Sequence, residues 1–352
     1  MRSTTMRWDH LYVAGTGAYL PKTMSVEDAI DAGVYDEESA RHSGHLSVTV
    51  AAPEDSIPEM AVRAGQQALR RSGYRPEDVA AVTYSVVFHN GIDIWNSGSY
   101  IQKGIAAPGC LAAEVRSGSN GGLVAAELAA GYLHAHPTAK VAVSTAGDLW
   151  TDPYFDRWRT DRILYGDGAA AVALSREGGF ARIVSMATYT DPELEAMHRG
   201  HEPFGPFQHD AEHPIDLNRR HQQFLEDFDK DEVWRRVEGG LQKAANQALE
   251  EAGRSMDEMD HLVAPHFGAG LTLRQCLRPL GVEDLNRTAW DFSRRTGHLG
   301  PADQFAGLNH LTETGALTPG KRVLLLGVGG GFSWTCAVLD ILEEPSWRGV
   351  PA

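Results

Sequence analysis

Ser119 occupies a position in the chain that suits covalent chemistry. It follows the apolar segment 111–113 and precedes an Asn-Gly-Gly turn that opens an Ala-rich segment, which predicts a strand, a turn and a helix. A side chain at such a junction meets a helix N-terminus, whose unpaired amides favour developing negative charge. The placement suits a nucleophile whose acyl oxygen needs an oxyanion hole. Taken alone, the pattern favours the commoner role of an N-cap serine.

A serine nucleophile needs a base, and two histidines are candidates. Serine attacks a carbonyl group at neutral pH only when an adjacent base takes its proton and a third group orients that base. His266 follows an apolar segment in the sequence Pro-His-Phe-Gly, and His298 follows Thr-Gly. Asp303 comes five residues after His298 and could hold its imidazole in the correct tautomer, as in a Ser-His-Asp triad. The alternatives are structural histidines and an aspartate in the first turn of a helix.

Residues 329–332, Gly-Gly-Gly-Phe, form the most specific single motif. A dinucleotide-binding loop is disfavoured, because neither a βαβ unit nor an acidic ribose-binding residue follows this segment. A glycine-rich turn without function is the ordinary alternative.

The cysteines and histidines indicate neither a disulfide framework nor a metal site. Cys110, Cys276 and Cys336 include no C-x-x-C pair, and the fifteen histidines include no H-E-x-x-H sequence. Cys110 is a rival nucleophile. It follows a Pro-Gly turn at a predicted strand start, where no helix N-terminus stabilises a thiolate, and we interpret it as structural.

The composition excludes several classes of function. A formal net charge of -15 over 352 residues argues against a nucleic-acid partner, which requires an excess of Lys and Arg. No apolar run approaches the roughly 20 residues of a membrane span, and the first residues lack a signal-peptide pattern. We therefore expect a cytoplasmic protein without a membrane partner.

A weak internal repeat indicates duplicated halves. Residues 67–79 and 247–259 both begin Gln-Ala-Leu, close an Ala-rich helix with a glycine and lead into an apolar strand. Two further glycine-containing pairs recur in the same order. We place the boundary near Gly178-Gly179, which predicts domains 1–178 and 179–352.

Strands and helices are predicted to alternate within each half. Ser56 and Glu59 have the spacing of a capping box, which predicts a helix through Arg71. Buried strands are predicted at four apolar segments: 79–87, 140–145, 261–264 and 321–326. This alternation predicts mostly parallel sheets covered by helices on both faces. The His-rich region 198–234 interrupts the second half, and such insertions commonly shape a pocket.

These motifs, in this order, resemble a ketoacyl-ACP synthase III, a condensing enzyme of the thiolase superfamily. The resemblance rests on residues 113–122, 264–268, 295–298 and 329–334. It implies an α/β thiolase fold whose duplicated halves form five layers, α/β/α/β/α. The family carries its acyl group on a cysteine where this chain has Ser119. A serine there is similar to the priming ketosynthases and acyltransferases of anthracycline-type aromatic polyketide synthases.

The resemblance implies particular residue roles. Gly330 and Ser119 would donate the backbone amides of the oxyanion hole. His266 matches the family's active-site histidine, whereas His298 stands where ketoacyl synthase III has asparagine. His298, aligned by Asp303, would deprotonate Ser119, and both histidines would stabilise the enolate formed when malonyl-ACP loses carbon dioxide.

The implied function is starter-unit selection in polyketide (antibiotic) biosynthesis. A short acyl group, propionyl favoured, would pass from acyl-CoA to Ser119 and condense with malonyl-ACP. No cofactor is expected, since coenzyme A enters as part of the substrate. We assign substrate binding to Trp95, His198 and Phe332, with Trp150 and Phe204 as further candidates.

A non-condensing acyltransferase is the alternative. An oxygen ester is less activated than a thioester, and the asparagine that helps decarboxylation in the family is absent. Such an enzyme would move an acyl group from CoA or a carrier protein to a hydroxyl or carrier-protein acceptor. An α/β-hydrolase-type serine hydrolase is disfavoured because residues 117–121 break Gly-x-Ser-x-Gly and the triad order differs. A non-catalytic partner subunit is disfavoured by both histidines and the triple glycine.

The implied partners are a short acyl-CoA, an acyl carrier protein and a second copy of the chain. The homodimer would bring Trp95 close to the partner's pocket. Because carrier proteins are acidic, docking on this acidic chain needs a local basic patch. The candidate residues for this basic patch are Arg219, Arg220, Arg235, Arg236, Arg274 and Arg278. Each of them could equally be an ordinary solvated charge.

Overall fold

The computed structural model describes residues 8–88, 92, 94–151, 153–159, 162–205 and 214–347. The strands found there are β1 Tyr12–Tyr19, β2 Thr23–Ser25, β3 Ser47–Thr49, β4 Val79–Ser85, β5 Leu111–Val115, β6 Val141–Asp148, β7 Gly168–Ser175, β8 Ala181–Thr190, β9 His261–Val263, β10 Arg322–Gly329 and β11 Ser333–Ile341. The helices are α1 Val26–Asp31, α2 Glu37–Ser43, α3 Ile57–Ser72, α4 Ser97–Ile105, α5 Gly121–Ala135, α6 Leu217–Asp227, α7 Lys230–Ala252, α8 Ala269–Thr272, α9 Trp290–Thr296 and α10 Asp303–Glu313. Within the described ranges, no helix is long and apolar enough to cross a membrane.

Nine strands form one twisted sheet in the order β5-β4-β6-β7-β1-β8-β11-β10-β9. The pairs β5–β4, β4–β6 and β10–β9 are parallel, and the other five neighbouring pairs are antiparallel. The prediction of mostly parallel sheets is therefore wrong. The reason is that β6–β7 and β10–β11 are joined without a crossover helix, and a direct connection of that kind gives an antiparallel pair.

The helices and the sheet form five layers, which confirms the predicted thiolase fold. Helix α3 packs on one face of the strands β4, β6 and β7, and α7 packs on the outer face of β10 and β11. Helices α5 and α10 lie between the two halves of the sheet, where Leu123 and Phe305 share one core with residues of both halves. Strands β1 and β8 join the two halves of the sheet through the pairs Tyr12↔Arg182 and Val13↔Ala181. Outside the named strands, an isolated bridge Tyr165↔His298 also joins the two halves.

The predicted elements are present with small shifts at their ends. Helices α3 and α7 end at Gly73 and Gly253 with φ of 76° and 63°, the left-handed conformation that glycine adopts without strain. Ser56 is the N-cap of α3, but the capping box is not formed. Its hydroxyl donates to Glu59 Oε2 at 2.9 Å and makes no bond to the helix backbone. The domain boundary falls between β7 and β8 and stays a prediction.

Candidate active site

Ser119 lies in the sharp turn between β5 and α5. The N-cap of α5 is the next residue, Asn120, so Ser119 is not the cap. Gly118 has a φ of 54°, and a Cβ at this position would lie 2.8 Å from the backbone nitrogen of Gly330. Glycine is therefore required at residue 118 both for its conformation and for the close approach of the two loops. The turn brings Ser119 against the glycine-rich loop and exposes it to two cavities.

The structure brings Ser119, His298 and Asp303 together in a hydrogen-bonded row. Ser119 Oγ is 2.8 Å from His298 Nε2, and His298 Nδ1 is 2.5 Å from Asp303 Oδ2. His298 precedes α10, whereas Ser119 precedes α5, so the row crosses between the two halves of the fold. This is the geometry of a nucleophile, a base and an orienting carboxylate.

The surroundings of Asp303 determine the tautomer of His298. The Asp303 carboxylate is fully buried and also accepts hydrogen bonds from the backbone amides of His266 and Leu299, both at 2.7 Å. Burial acts to raise the pKa of Asp303, but the neighbouring imidazoles and these hydrogen bonds hold that pKa below its ordinary value. An ionised carboxylate only accepts, so His298 carries its proton on Nδ1 and leaves Nε2 free to accept from the Ser119 hydroxyl.

The imidazole of His266 does not join this row. Its Nδ1 lies 3.1 Å from both the Gly297 carbonyl oxygen and Thr296 Oγ1, and its Nε2 is buried with no hydrogen-bond partner among the described residues. A Cβ at Gly307 of α10 would be 3.8 Å from that Nε2. Burial lowers the pKa of His266, which favours its neutral form. His266 lines neither cavity at Ser119, and its predicted role at the enolate stays a prediction.

The glycine-rich loop lies directly over the nucleophile turn. A Cβ at Gly329 would be 2.5 Å from the Ser117 carbonyl oxygen, and a Cβ at Gly330 would overlap with the His198 imidazole. Gly329 and Gly330 therefore leave no room for a larger residue in this packing, and Gly330 faces both cavities with Ser119. This places the predicted donors of an oxyanion hole on adjacent backbone segments, although their role stays a prediction.

Two cavities of about 200 and 470 Å³ meet at Ser119. The predicted binding residue His198 lines both, and Phe332 lines the smaller one. Trp150 lines the larger one. Trp95 lines neither among the described residues, and the exposed Phe204 lines neither as well.

The sequence analysis missed the part of the cavity wall that the first half of the chain supplies. In the larger cavity this part includes Val87, Phe88, Phe155 and Tyr165. Ile215 and Leu217 also line this cavity, and they lie in the region 198–234 that was expected to shape a pocket. Phe155 and Tyr165 belong to the β6–β7 connection and pack together with ring centroids 4.7 Å apart. The recurrence of aromatic residues in a long connection that follows a buried strand was the available signal. Residues 89–91 and 206–213 lie outside the described residues.

Among the described residues, no cysteine lines the two cavities at Ser119. Cys110 lines a separate surface cavity with Tyr132 and His136, and burial raises the pKa of its thiol. Burial raises the pKa of Cys276 to about 12 and also that of Cys336. Raised thiol pKa values disfavour nucleophilic thiolates, which agrees with structural roles. In the described part of the chain, no group of three or more His, Cys, Asp or Glu side chains could hold a metal ion.

Five of the six candidate arginines for carrier-protein docking are engaged with carboxylates. The pairs are Arg219 and Arg220 with Glu202, Arg235 with Glu232, Arg236 with Asp191 and Glu232, and Arg278 with Glu283. Arg274 differs, because its guanidinium lies 3.7 Å from the ring centroid of Trp234. Trp234 lines the smaller cavity, so Arg274 is held at that cavity's edge.

Comparisons with known proteins agree with this fold. A family profile described as 3-oxoacyl-(acyl-carrier-protein) synthase III C terminal matches residues 249–341. The structure of ChlB3, an acyltransferase, superposes with a TM-score of 0.91 and 35% identity, covering 96% of this chain and 99% of ChlB3. The acetoacetyl CoA synthase NphT7 of Streptomyces sp. (strain CL190) is 27% identical over 339 residues, covering 93% of this chain and 98% of NphT7.

A further structure shares the fold alone. The priming β-ketosynthase of the R1128 polyketide biosynthetic pathway has a TM-score of 0.73 and 21% identity, covering 98% of this chain and 99% of that protein.

The chain belongs to the ketoacyl-ACP synthase III-like family of the thiolase superfamily. It is a transferase-type enzyme.

Proposed function

We propose that this chain is an acyltransferase that holds its acyl group as an ester on Ser119 and passes it to an acceptor without condensation. The observation that carries the proposal is the row Ser119–His298–Asp303, at 2.8 and 2.5 Å. These three residues supply the nucleophile, the base and the orienting group that acyl transfer requires. The condensation implied by the family resemblance would also use His266 to stabilise the enolate, and the His266 imidazole lies off both cavities.

The first half-reaction transfers the acyl group to the enzyme. His298 Nε2 takes the Ser119 proton while Oγ attacks the carbonyl carbon of an acyl thioester. The backbone amides of Ser119 and Gly330 stabilise the tetrahedral oxyanion, a contribution of about 3–4 kcal/mol for one donor. When the intermediate collapses, the C–S bond breaks and the imidazolium of His298 returns the proton to the thiolate.

The second half-reaction reverses these roles. An acceptor hydroxyl, or the thiol of a carrier protein, gives its proton to His298 Nε2 and attacks the acyl carbon. The ester C–O bond breaks, and Ser119 leaves as an alcohol with the proton from His298. No oxidant, reductant or cofactor is needed, because coenzyme A or a carrier protein enters only as part of the donor.

The similarity to ChlB3 supports simple acyl transfer as the first candidate, since ChlB3 is described as an acyltransferase. Condensation with malonyl-ACP is the second candidate. It is favoured by the similarity to NphT7, which is described as an acetoacetyl CoA synthase. In that case His298 and His198, which both line the smaller cavity, would face the enolate formed on decarboxylation.

Intact-protein mass spectrometry tests the proposed intermediate. After incubation with propionyl-CoA, the wild-type protein should gain one propionyl group and Ser119→Ala should gain none. Ser119→Cys should regain an adduct, because a thiol at the same position can form a thioester. An adduct that survives in Ser119→Ala would place the nucleophile elsewhere, with Cys110 the next residue to replace.

Carbon dioxide release separates the two candidate reactions. Propionyl-loaded enzyme is mixed with malonyl-ACP whose carboxyl group is labelled. No label should be released, and propionyl should instead move to a hydroxyl or carrier-protein acceptor. Release of label with formation of a β-ketoacyl-ACP would replace simple transfer by condensation. Competition among acetyl-, propionyl- and butyryl-CoA then tests the propionyl preference and with it starter-unit selection in polyketide biosynthesis.

The proposed assembly is a cytoplasmic homodimer. Strand β5 is at the edge of the sheet and, among the described strands, pairs only with β4. Leu111 on β5 and Tyr100 on the neighbouring α4 are exposed, as is Ile94 before that helix. A second copy would cover these apolar residues and bring Trp95 toward the partner's pocket. Light scattering should give twice the mass of the chain, and the mass of one chain would refute the homodimer.

A further inference from the structure

Asn120, the residue after the nucleophile, bridges the two halves of the fold. Its side-chain amide donates to Ser333 Oγ at 3.1 Å and to Thr335 Oγ1 at 2.9 Å, both on β11. Ser117 Oγ lies 3.2 Å from the first of these hydroxyls, and Thr188 Oγ1 lies 2.7 Å from the second. Asn120 is fully buried, so water does not compete for these hydrogen bonds.

The side chain of Asn120 does not have the local role that its position suggests. An asparagine at the N-cap ordinarily accepts a hydrogen bond from an amide of the first helical turn, but Asn120 makes no such bond in α5. Its Oδ1 packs against Gly327 of β10, where a Cβ would overlap with it. The side chain therefore contacts the second half of the molecule instead of capping its own helix.

A bridge at this point matters because the two proposed oxyanion donors come from different halves. Ser119 precedes α5, whereas Gly330 lies in the turn between β10 and β11. Both amides act on an oxyanion only when each lies roughly 2.7–3.1 Å from it. Asn120 is one residue from the first donor and binds β11 three residues beyond the second.

We propose that Asn120 is a positioning residue that holds the Ser119 and Gly330 amides at the separation required by an acyl oxyanion. This inference rests on the acyl-serine function proposed above. Asn120 lines neither cavity among the described residues, so it touches no substrate. It acts by joining the turn that carries the nucleophile to the strand that follows the glycine-rich loop.

Single-turnover acylation by propionyl-CoA tests this role in the full-length protein. We expect Asn120→Ala to lower the maximal rate of Ser119 acylation by ~10- to 100-fold, less than the 10²–10³ lost with a whole oxyanion donor. The propionyl-CoA concentration that gives half the maximal rate should not change, because the lost stabilisation belongs to the transition state. Intact-protein mass spectrometry follows the adduct, and the final adduct yield gives the folded fraction.

Asn309→Ala is the matched control. Asn309 is also a buried asparagine that joins the two halves, since its Oδ1 accepts from Thr16 Oγ1 and Arg71 Nη1, both at 2.9 Å. It lies on α10 and lines neither cavity in the described part of the chain. We expect this variant to lose thermal stability and to acylate at the wild-type rate per folded molecule.

A second pair of variants tests the bridge from its other end. Thr335→Val removes an acceptor of the Asn120 amide, and Thr335→Ser keeps that acceptor. We expect slow acylation in Thr335→Val and a rate close to wild type in Thr335→Ser. The double variant with Asn120→Ala should be no slower than Asn120→Ala alone, because both changes break the same interaction.

The outcomes separate this inference from the proposed function. If Asn120→Ala acylates at the wild-type rate, or changes only the half-saturating concentration, the positioning role is wrong and the acyl-serine function stands. If Asn120→Ala does not fold, equal rates for the two Thr335 variants overturn the role. A wild-type protein that forms no Ser119 adduct overturns both.

Discussion

His266 binds the carboxylate of Asp303 through its backbone amide, not through its imidazole. The amide nitrogen is 2.7 Å from Asp303 Oδ2, whereas the ring Nδ1 lies 3.4 Å from Asp303 Oδ1 and closer to the Gly297 carbonyl oxygen. The carboxylate therefore orients a single imidazole, that of His298. The His266 amide binds this carboxylate, and of the two histidines only His298 lines a cavity at Ser119.

This difference predicts unequal effects for the two histidines. His298→Ala removes the base and should slow acylation of Ser119 by about 10⁴-fold or more. His266→Gln keeps the backbone amide and should acylate at a rate close to wild type, with a loss of stability instead. Single-turnover acylation and thermal unfolding measure the two effects. Equal loss of acylation in both variants would restore His266 to a direct part in the reaction.

Asp303→Asn should slow acylation about 10⁴-fold, the effect of losing an orienting carboxylate. A carboxamide can present its NH₂ group to His298 Nδ1. The ring proton then moves to Nε2, and Nε2 can no longer accept a hydrogen bond from Ser119. The exposed Asp291 provides a control, and Asp291→Asn should acylate normally. A similar slowing in both variants would point to a general charge effect.

The pKa of Asp303 also sets a pH dependence. The folded-state pKa of Asp303 lies below the ordinary pKa of an aspartate in the unfolded chain. The ionised carboxylate therefore stabilises the fold at pH values above that ordinary pKa. This contribution is lost as the pH falls through the lowered pKa. Unfolding by urea between pH 3 and pH 6 should therefore show a smaller slope against pH for Asp303→Asn than for the wild-type protein.

Asp148 should have the opposite pH dependence. Its carboxylate accepts from the backbone amides of Val87 and Phe88, both at 2.9 Å, but complete burial raises its pKa to about 7. The folded state therefore holds a proton that the unfolded chain has released, and stability falls as the pH rises toward 7. At about 1.4 kcal/mol per pH unit, the loss between pH 5 and pH 7 is about 2–3 kcal/mol.

Urea unfolding of Asp148→Asn measures this contribution. The free energy of unfolding of the variant should be lower by an amount that does not depend on pH, because one hydrogen-bond acceptor is missing. It should also not fall between pH 5 and pH 7. The stability difference between wild type and variant should therefore shrink by about 2–3 kcal/mol over that interval. A difference that stays constant with pH would mean that Asp148 is ionised throughout.

Arg274 should matter for a carrier-protein donor more than for a CoA donor. It is exposed, pairs with no carboxylate among the described residues and stacks on Trp234 at the edge of the smaller cavity. Arg274→Glu should lower kcat/KM for an acyl carrier protein about tenfold and should weaken the dependence on salt. Arg278→Glu is the control, since Arg278 is already paired with Glu283. Equal effects of the two changes would mean that only overall charge matters.

The sequence by itself determined the parts of the site that local patterns encode. A strand, a tight turn and an Ala-rich helix indicate where Ser119 lies, because helix caps and turn glycines act over a few residues. The close spacing of His298 and Asp303 likewise predicts their contact. The family resemblance then predicted the thiolase fold, which the layers of helices and sheet confirm.

The tertiary structure decided what depends on distant neighbours. The direction of the His266 imidazole follows from the Gly297 carbonyl and Thr296 hydroxyl that it meets, thirty residues away. The strand directions follow from connections without crossover helices, and the bridge from Asn120 to β11 spans more than two hundred residues. A buried polar group takes whichever partner the packed fold brings to it, and no local pattern specifies that partner.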